Sequence, residues 1–236
     1  MYFPKMLLLY FLSLFPLVLR GQQRPVESAT SDWLAIETGA VLPFRTPSGP
    51  SFSESFTEEN PNGWPTGLRA GFTYTLKPIG YQLERRSADT SRAARAWVTL
   101  SNRLNLNKID TFLIQIDLLP QTDTYPAGGL LFGVADSLNY SQIRLIGPNR
   151  VLVQQVVNGK PDVTFVSAHL ARATVALRSG RNRIAVWRRG RQLHVFVNEK
   201  ELPTSPFAFR PLRGNGVGVL MTGNWLSFRN LSVRTQ

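Results

Sequence analysis

Apolar and polar residues alternate with a period of two along most of the chain beyond residue 70, the spacing of strands with one buried face. Such runs occupy residues 71–76, 80–86, 96–101, 110–118, 129–135, 139–146, 149–157, 162–167, 173–177, 182–189, 191–197, 215–221 and 225–234. Turn residues separate them. Asn158-Gly159, set between two apolar runs, is the strongest hairpin signal, and Arg189-Gly190 and Pro148-Asn149 mark two further reversals. No stretch keeps a helical period; residues 87–96 are the best helical candidate and read equally as a loop. Short strands without intervening helices exclude βαβ layers, and the absence of an internal repeat excludes propellers and solenoids. The pattern predicts an all-β, antiparallel jelly-roll β-sandwich of roughly 12–14 strands.

The N-terminus departs from this pattern. Lys5 precedes an apolar run over residues 6–19, as in a secretory signal peptide, expected here over residues 1–21. The run falls short of the roughly 20 apolar residues of a spanning helix, and Pro16 and Arg20 interrupt it. Membrane contact is therefore expected only through an uncleaved signal segment. Residues 22–50, rich in Pro, Gly, Ser and Thr, read as a linker, and residues 51–236 as the sandwich domain. A 236-residue chain that is 43% hydrophobic can bury one sizeable core. It has no cysteine, which excludes lipoprotein attachment, disulfides, zinc–thiolate sites and thiol catalysis. An exported domain held by its core alone fits bacterial export, with a periplasmic, cell-surface or extracellular destination. The sequons at Asn139 and Asn230 fall in or beside expected strands and read as chance matches.

Charge narrows the partners. The chain carries 27 Lys and Arg against 15 Asp and Glu, a formal net charge of +12. Such a chain can attract nucleic acid, anionic lipid or acidic glycans. Export argues against nucleic acid, and none is expected. The basic residues are spread out except for one knot, Arg188, Arg189 and Arg191, a candidate contact for anionic polymers.

Catalytic patterns are absent. Glycosidases need two carboxyl groups a short, fixed distance apart, and no strand carries a suitably spaced acidic set. Glu84 and Asp117 are the remaining candidates for a glycosidase-like enzyme. His169 and His194 cannot by themselves build a metal site, and no Ser/His/Asp triad can be assembled by spacing. No cofactor is expected. The loop 136–139, containing Asp136 and Asn139, is the best place for calcium, although an Asx turn closing a hairpin explains it as well.

Binding is the class that survives. Saccharide sites combine an aromatic platform with planar polar groups that share hydrogen bonds with hydroxyls. The polar faces of the central strands offer Gln115 and Asp117 on one strand and Gln142 and Arg144 on another, with Tyr125 in a nearby loop. These five are the candidate ligand contacts, and the expected partner is a saccharide or glycan polymer.

Several segments resemble a known group: the Phe-x-x-x-Phe opening at 52–56, Phe-Leu-Ile-Gln-Ile-Asp-Leu at 112–118, Gly-Leu-Leu-Phe-Gly-Val-Ala-Asp at 129–136, Asn-Tyr-x-x-Ile-Arg-Leu at 139–145, Asn-Arg-Ile-Ala-Val-Trp-Arg-Arg-Gly at 182–190 and Val-Phe-Val-Asn at 195–198. Over about residues 50–236 the order is similar to the concanavalin A-like lectin/glucanase sandwich, in the laminin-G-like, bacterial form related to 3-keto-disaccharide hydrolase-type domains. The resemblance implies that 129–140 lies in the body of the sheets and that 182–198 and 216–233 close the sandwich. Glu199 stands where the pattern has a turn glycine, which suggests a longer turn. No catalytic residue of relatives can be matched, so hydrolase activity is not implied. The expectation is an exported, non-catalytic carbohydrate-binding or interaction module. A glycosidase-like enzyme and a basic adhesin for acidic polymers are the alternatives.

Overall fold

The computed structural model describes residues 49–122, 124–162 and 169–235. The expected signal segment, nearly all of the linker and most of the strand expected at 162–167 lie outside the described residues. The alternating runs become strands β1 (Ser51–Glu54), β2 (Gly67–Arg69), β3 (Phe72–Lys77), β4 (Gly80–Arg85), β5 (Ala94–Thr99), β6 (Thr111–Pro120), β7 (Gly128–Asp136), β8 (Asn139–Ile146) and β9 (Arg150–Val157). They continue as β10 (Lys160–Pro161), β11 (His169–Arg172), β12 (Asn182–Arg189), β13 (Gln192–Val197), β14 (Lys200–Glu201), β15 (Phe207–Ala208), β16 (Gly216–Met221) and β17 (Trp225–Thr235). The total exceeds the expected 12–14 because β2, β10, β14 and β15 are edge pieces of two or three residues.

Two sheets form, with antiparallel pairing throughout. The first runs β14-β13-β12-β6-β17-β4-β3-β2, with β1 on β17 and β15 on β13. The second runs β10-β9-β8-β7-β16-β5, with β11 on β9. Alternation explains the core. Phe112, Ile114, Ile116 and Leu118 take every second position of β6 and are all buried, as are Ile143 and Leu145 of β8 and Val217, Val219 and Met221 of β16. Each such side chain contributes about 1.5–3 kcal/mol when taken out of water. The other side of each strand faces away from this shared core, so the sandwich presents two outer faces.

Two local expectations are corrected. Residues 87–96 form no helix. Asp89 accepts hydrogen bonds from the Ser91 amide and hydroxyl, which sets a loop, and β5 begins at Ala94. Ala94, Ala96 and Val98 alternate into the core, and that packing outweighs the helix propensity of alanine. The strand expected at 173–177 sits earlier, as β11. Residues 173–177 instead hold the β8–β9 turn, with the Ala173 amide on the Asn149 carbonyl and the Leu177 amide on the Pro148 carbonyl, both at 2.8 Å.

The turns follow their chemistry. Asn158 and Gly159 both have positive φ, 52° and 75°, the mirror-image turn that matches strand twist. The longer turn expected after Asn198 does not form. Val197 pairs with Lys200, so Asn198 and Glu199 make a two-residue turn at φ 49° and 69°. Glu199 thus holds a backbone conformation that glycine adopts without strain. Glu199→Gly is expected to raise the unfolding free energy by about 0.5–1 kcal/mol. A urea midpoint that stays put or falls would contradict this.

Candidate functional site

The five residues singled out for ligand contact do not share one surface. Gln115 and Asp117 lie on the outer face of the first sheet, on β6, while Gln142 and Arg144 lie on the outer face of the second, on β8. Tyr125 is exposed in the loop between β6 and β7.

Asp117 is enclosed by cations and amides of its own face. Arg183, its register partner on β12, donates from Nε to Oδ1 at 2.6 Å and from Nη2 to Oδ2 at 2.8 Å. On the other side, β17 bulges between Arg229 and Ser232, and Asn230, at φ 52°, donates from Nδ2 to Oδ2 at 2.9 Å. A bulge re-aims one side chain, and this one aims Asn230 at the carboxylate. Asp117 is fully buried. Gln115 beside it is buried too, with no hydrogen bond to its Oε1. Glu84 is half-buried and paired with Arg86 at 2.9 Å. Along β17, Asp117 stands opposite Arg229 and Glu84 opposite Trp225, which places the two acids roughly 16 Å apart across two strand spacings. That exceeds the separation either glycosidase geometry uses.

The Arg188–Arg191 knot also divides. Arg188 points inward: its Nε donates to the Gly190 carbonyl, Nη1 to the Leu106 and Ile109 carbonyls, and Nη2 to Asp110 at 3.2 Å. It is buried, so it is corrected from a surface contact to an internal cap. Burial pushes its guanidinium pKa below the usual value, and Asp110 opposes the shift. Alternation along β12 puts Arg188 on the same side as Ile184 and Val186, which a count of charges alone overlooks. Arg189 and Arg191 are exposed at the turn.

His194 stacks on Trp187, with centroids 4.8 Å apart, and its Nδ1 lies 2.7 Å from Glu201 Oε1. The Ser205 hydroxyl donates to that same oxygen at 2.6 Å. In a nucleophilic triad the hydroxyl bonds to the imidazole, whereas here both groups bond the carboxylate. The side chain of His169 lies outside the described residues.

An open cleft of about 610 Å³ lies where the β7–β8 and β9–β10 hairpins meet residues 210–213, lined by Asp136, Asn139, Asn158, Arg210, Leu212 and Arg213 among others. Its parts are fixed by short contacts. Asp136 accepts from the Leu138 amide at 2.7 Å and from Asn139 Nδ2 at 2.9 Å, closing the first hairpin as an Asx turn. These donors, the Leu138 amide foremost, hold the Asp136 carboxyl below 3.8. Its closure of the hairpin is therefore complete above that pH and is lost as pH falls through the lower folded value. The Asn158 amide donates to Asn139 Oδ1 and the Gly159 amide to the Leu138 carbonyl, joining the two hairpins. Gln155 Nε2 donates to the Arg210 carbonyl, and the Phe209 amide donates to the Arg191 carbonyl, which seats the third wall. Asp136, Asn139, Asn158, Arg210 and Arg213 thus line one cleft. The sequence reading reached Asp136 and Asn139 as a loop and Asn158 as a turn. It missed Arg210 and Arg213, which sit in an irregular stretch with no periodicity to mark them.

The fold is the concanavalin A-like sandwich. Among solved structures, the chain is similar to a protein of unknown function with a galectin-like fold from Bacillus subtilis, at 11% identity and TM-score 0.54, covering 78% of this chain and 94% of that one. It is similar to the carbohydrate-binding module CBM66 from Bacillus subtilis, at 14% identity and TM-score 0.52, covering 75% and 98%. It is also similar to the β-glucanase of Bacillus licheniformis, at 12% identity and TM-score 0.51, covering 80% and 99%. No protein-family model matches the chain, and no curated protein does.

Proposed function

We propose that the protein is an exported, non-catalytic saccharide-binding module whose binding site is the cleft between the β7–β8 and β9–β10 hairpins. The cleft geometry carries this reading. About 610 Å³ is the size of a small-ligand pocket, and Asp136, Asn139, Asn158, Arg210 and Arg213 supply planar groups that donate to and accept from sugar hydroxyls. Among the described residues Asp136 is the one carboxylate lining it, so a paired-carboxyl mechanism has no second described member there. The solved structures lend support, since one similar fold is named as a carbohydrate-binding module. The export element rests on Lys5, the apolar run at 6–19 and the lack of cysteine.

The test is binding to a panel of neutral polysaccharides, followed by Arg210→Ala and Arg213→Ala. Both residues line the cleft and are exposed. Each variant is expected to weaken binding about tenfold, the loss of one or two well-placed hydrogen bonds. Wild-type protein that binds no polysaccharide would end the functional reading; variants that bind like wild type would move the site elsewhere.

A further inference from the structure

The outer face of the second sheet carries charge that its own side chains leave uncompensated. Register aligns Arg95 of β5 with Leu220 of β16, Leu220 with Gly129 of β7, and Gly129 with Arg144 of β8. The neighbouring row runs Trp97, Gly218, Leu131, Gln142 and Gln154. Arg95 and Arg144 start about 14 Å apart, three strand spacings, a gap that two extended arginine side chains close between them. Gly129 leaves that row open beside Arg144. A Cβ there would sit 1.8 Å from the Ile143 carbonyl oxygen, so the position admits no side chain.

The Arg95 guanidinium lies 5.3 Å from the Tyr140 ring centroid. Neither Arg95 nor Arg144 forms an ion pair with a described residue, and the Nε of each is buried without an acceptor. Burial pushes the Arg144 guanidinium pKa below its ordinary value; Tyr140 opposes that shift and the charge of Arg95 adds to it. Two half-buried like charges without a carboxylate among the described residues are costly unless an anion joins them. Both residues remain partly exposed.

We propose that this face seats the acidic group of a charged saccharide, a carboxylate or a sulfate, between Arg95 and Arg144. Trp97 supplies an aromatic surface, and the Gln142–Gln154 amide pair, joined at 2.5 Å, supplies partners for hydroxyls. The inference rests on the saccharide-binding reading but uses a different surface from the cleft. It also places the contact for acidic polymers away from the Arg188–Arg191 turn.

The full chain is titrated calorimetrically with galacturonic-acid oligosaccharides, with their neutral methyl esters and with sulfated dextran. The acid or the sulfated polymer should bind, and whichever does identifies the anion. The methyl esters should bind at least about tenfold more weakly than the acid if the carboxylate is the group held. Arg95→Gln and Arg144→Gln should each lose about tenfold, while Arg189→Gln, which removes the same single charge, stays within roughly twofold of wild type. Unchanged neutral-polysaccharide binding by Arg95→Gln and Arg144→Gln shows that they are folded. Wild type that binds neither anionic probe, or Arg95→Gln and Arg144→Gln variants that bind the probes as wild type does, overturns the proposal. If neutral polysaccharide still binds in that case, the cleft reading stands; if no saccharide binds at all, both fall.

Discussion

Arg183→Met is expected to lower the unfolding free energy by about 3–5 kcal/mol, the cost of stranding a buried charge. Asp117 is 0% exposed and accepts two hydrogen bonds from Arg183. Without that fork the carboxylate keeps Asn230 and a distant Arg181 at 3.8 Å, too little to offset its desolvation. For a domain of this size the melting temperature should drop on the order of 10 °C. Adding Asp117→Leu to Arg183→Met should recover much of the loss, because the charge is then gone together with its partner. Arg181→Met, at an exposed residue, should stay within about 0.5 kcal/mol of wild type. Guanidinium unfolding of the four proteins decides it: an Arg183→Met midpoint close to wild type would mean that Asp117 is held by something other than this pair.

The second large effect lies at the entrance to the domain. Glu54 is buried, and its Oε1 accepts from the Phe56 amide at 2.5 Å while Oε2 accepts from Asn62 Nδ2 at 2.7 Å and Trp64 Nε1 at 2.8 Å. These bonds hold Phe56 at φ 61° and set the Phe56, Trp64 and Tyr81 rings against one another, 4.9–5.5 Å apart. Glu54→Gln places an amide N–H against donors whichever way the side chain turns. The expected loss is about 2–4 kcal/mol, since bonds to a charged acceptor are the strong ones and the donors left over are buried. Trp64 should also become wetter, which a red shift of tryptophan emission would report. Glu59→Gln, at an exposed neighbour, is the matched control; equal stability of the two variants would refute the role given to Glu54.

Most of the fold was legible because alternation is a local signal. The runs at 139–146 and 182–189 reappear with the same limits as β8 and β12, and Asn158-Gly159 turns as its residue types require. Sequence reading failed where tertiary contact decides. Ala94 and Ala96 look helical until a core stands behind them, and Glu199 accepts a strained turn because Val197 and Lys200 are already paired. The candidate site was less legible still. Gln115 and Asp117 carry the same signature as Gln142 and Arg144, but which sheet each strand joins is set by pairing across long separations. Likewise, Asp117 reads as an available acid until Arg183 and Asn230, distant in sequence, are seen to close on it.

The position of β17 bears on when this protein can fold. It is the last strand along the chain, yet β6 lies along one side of it and β4 and β1 along the other. Without it, the first sheet exists only as two halves with bare edges, β12–β13 with β6 on one side and β3–β4 on the other. Loop closure over nearly the whole domain must precede the final pairing, which makes folding slow and late.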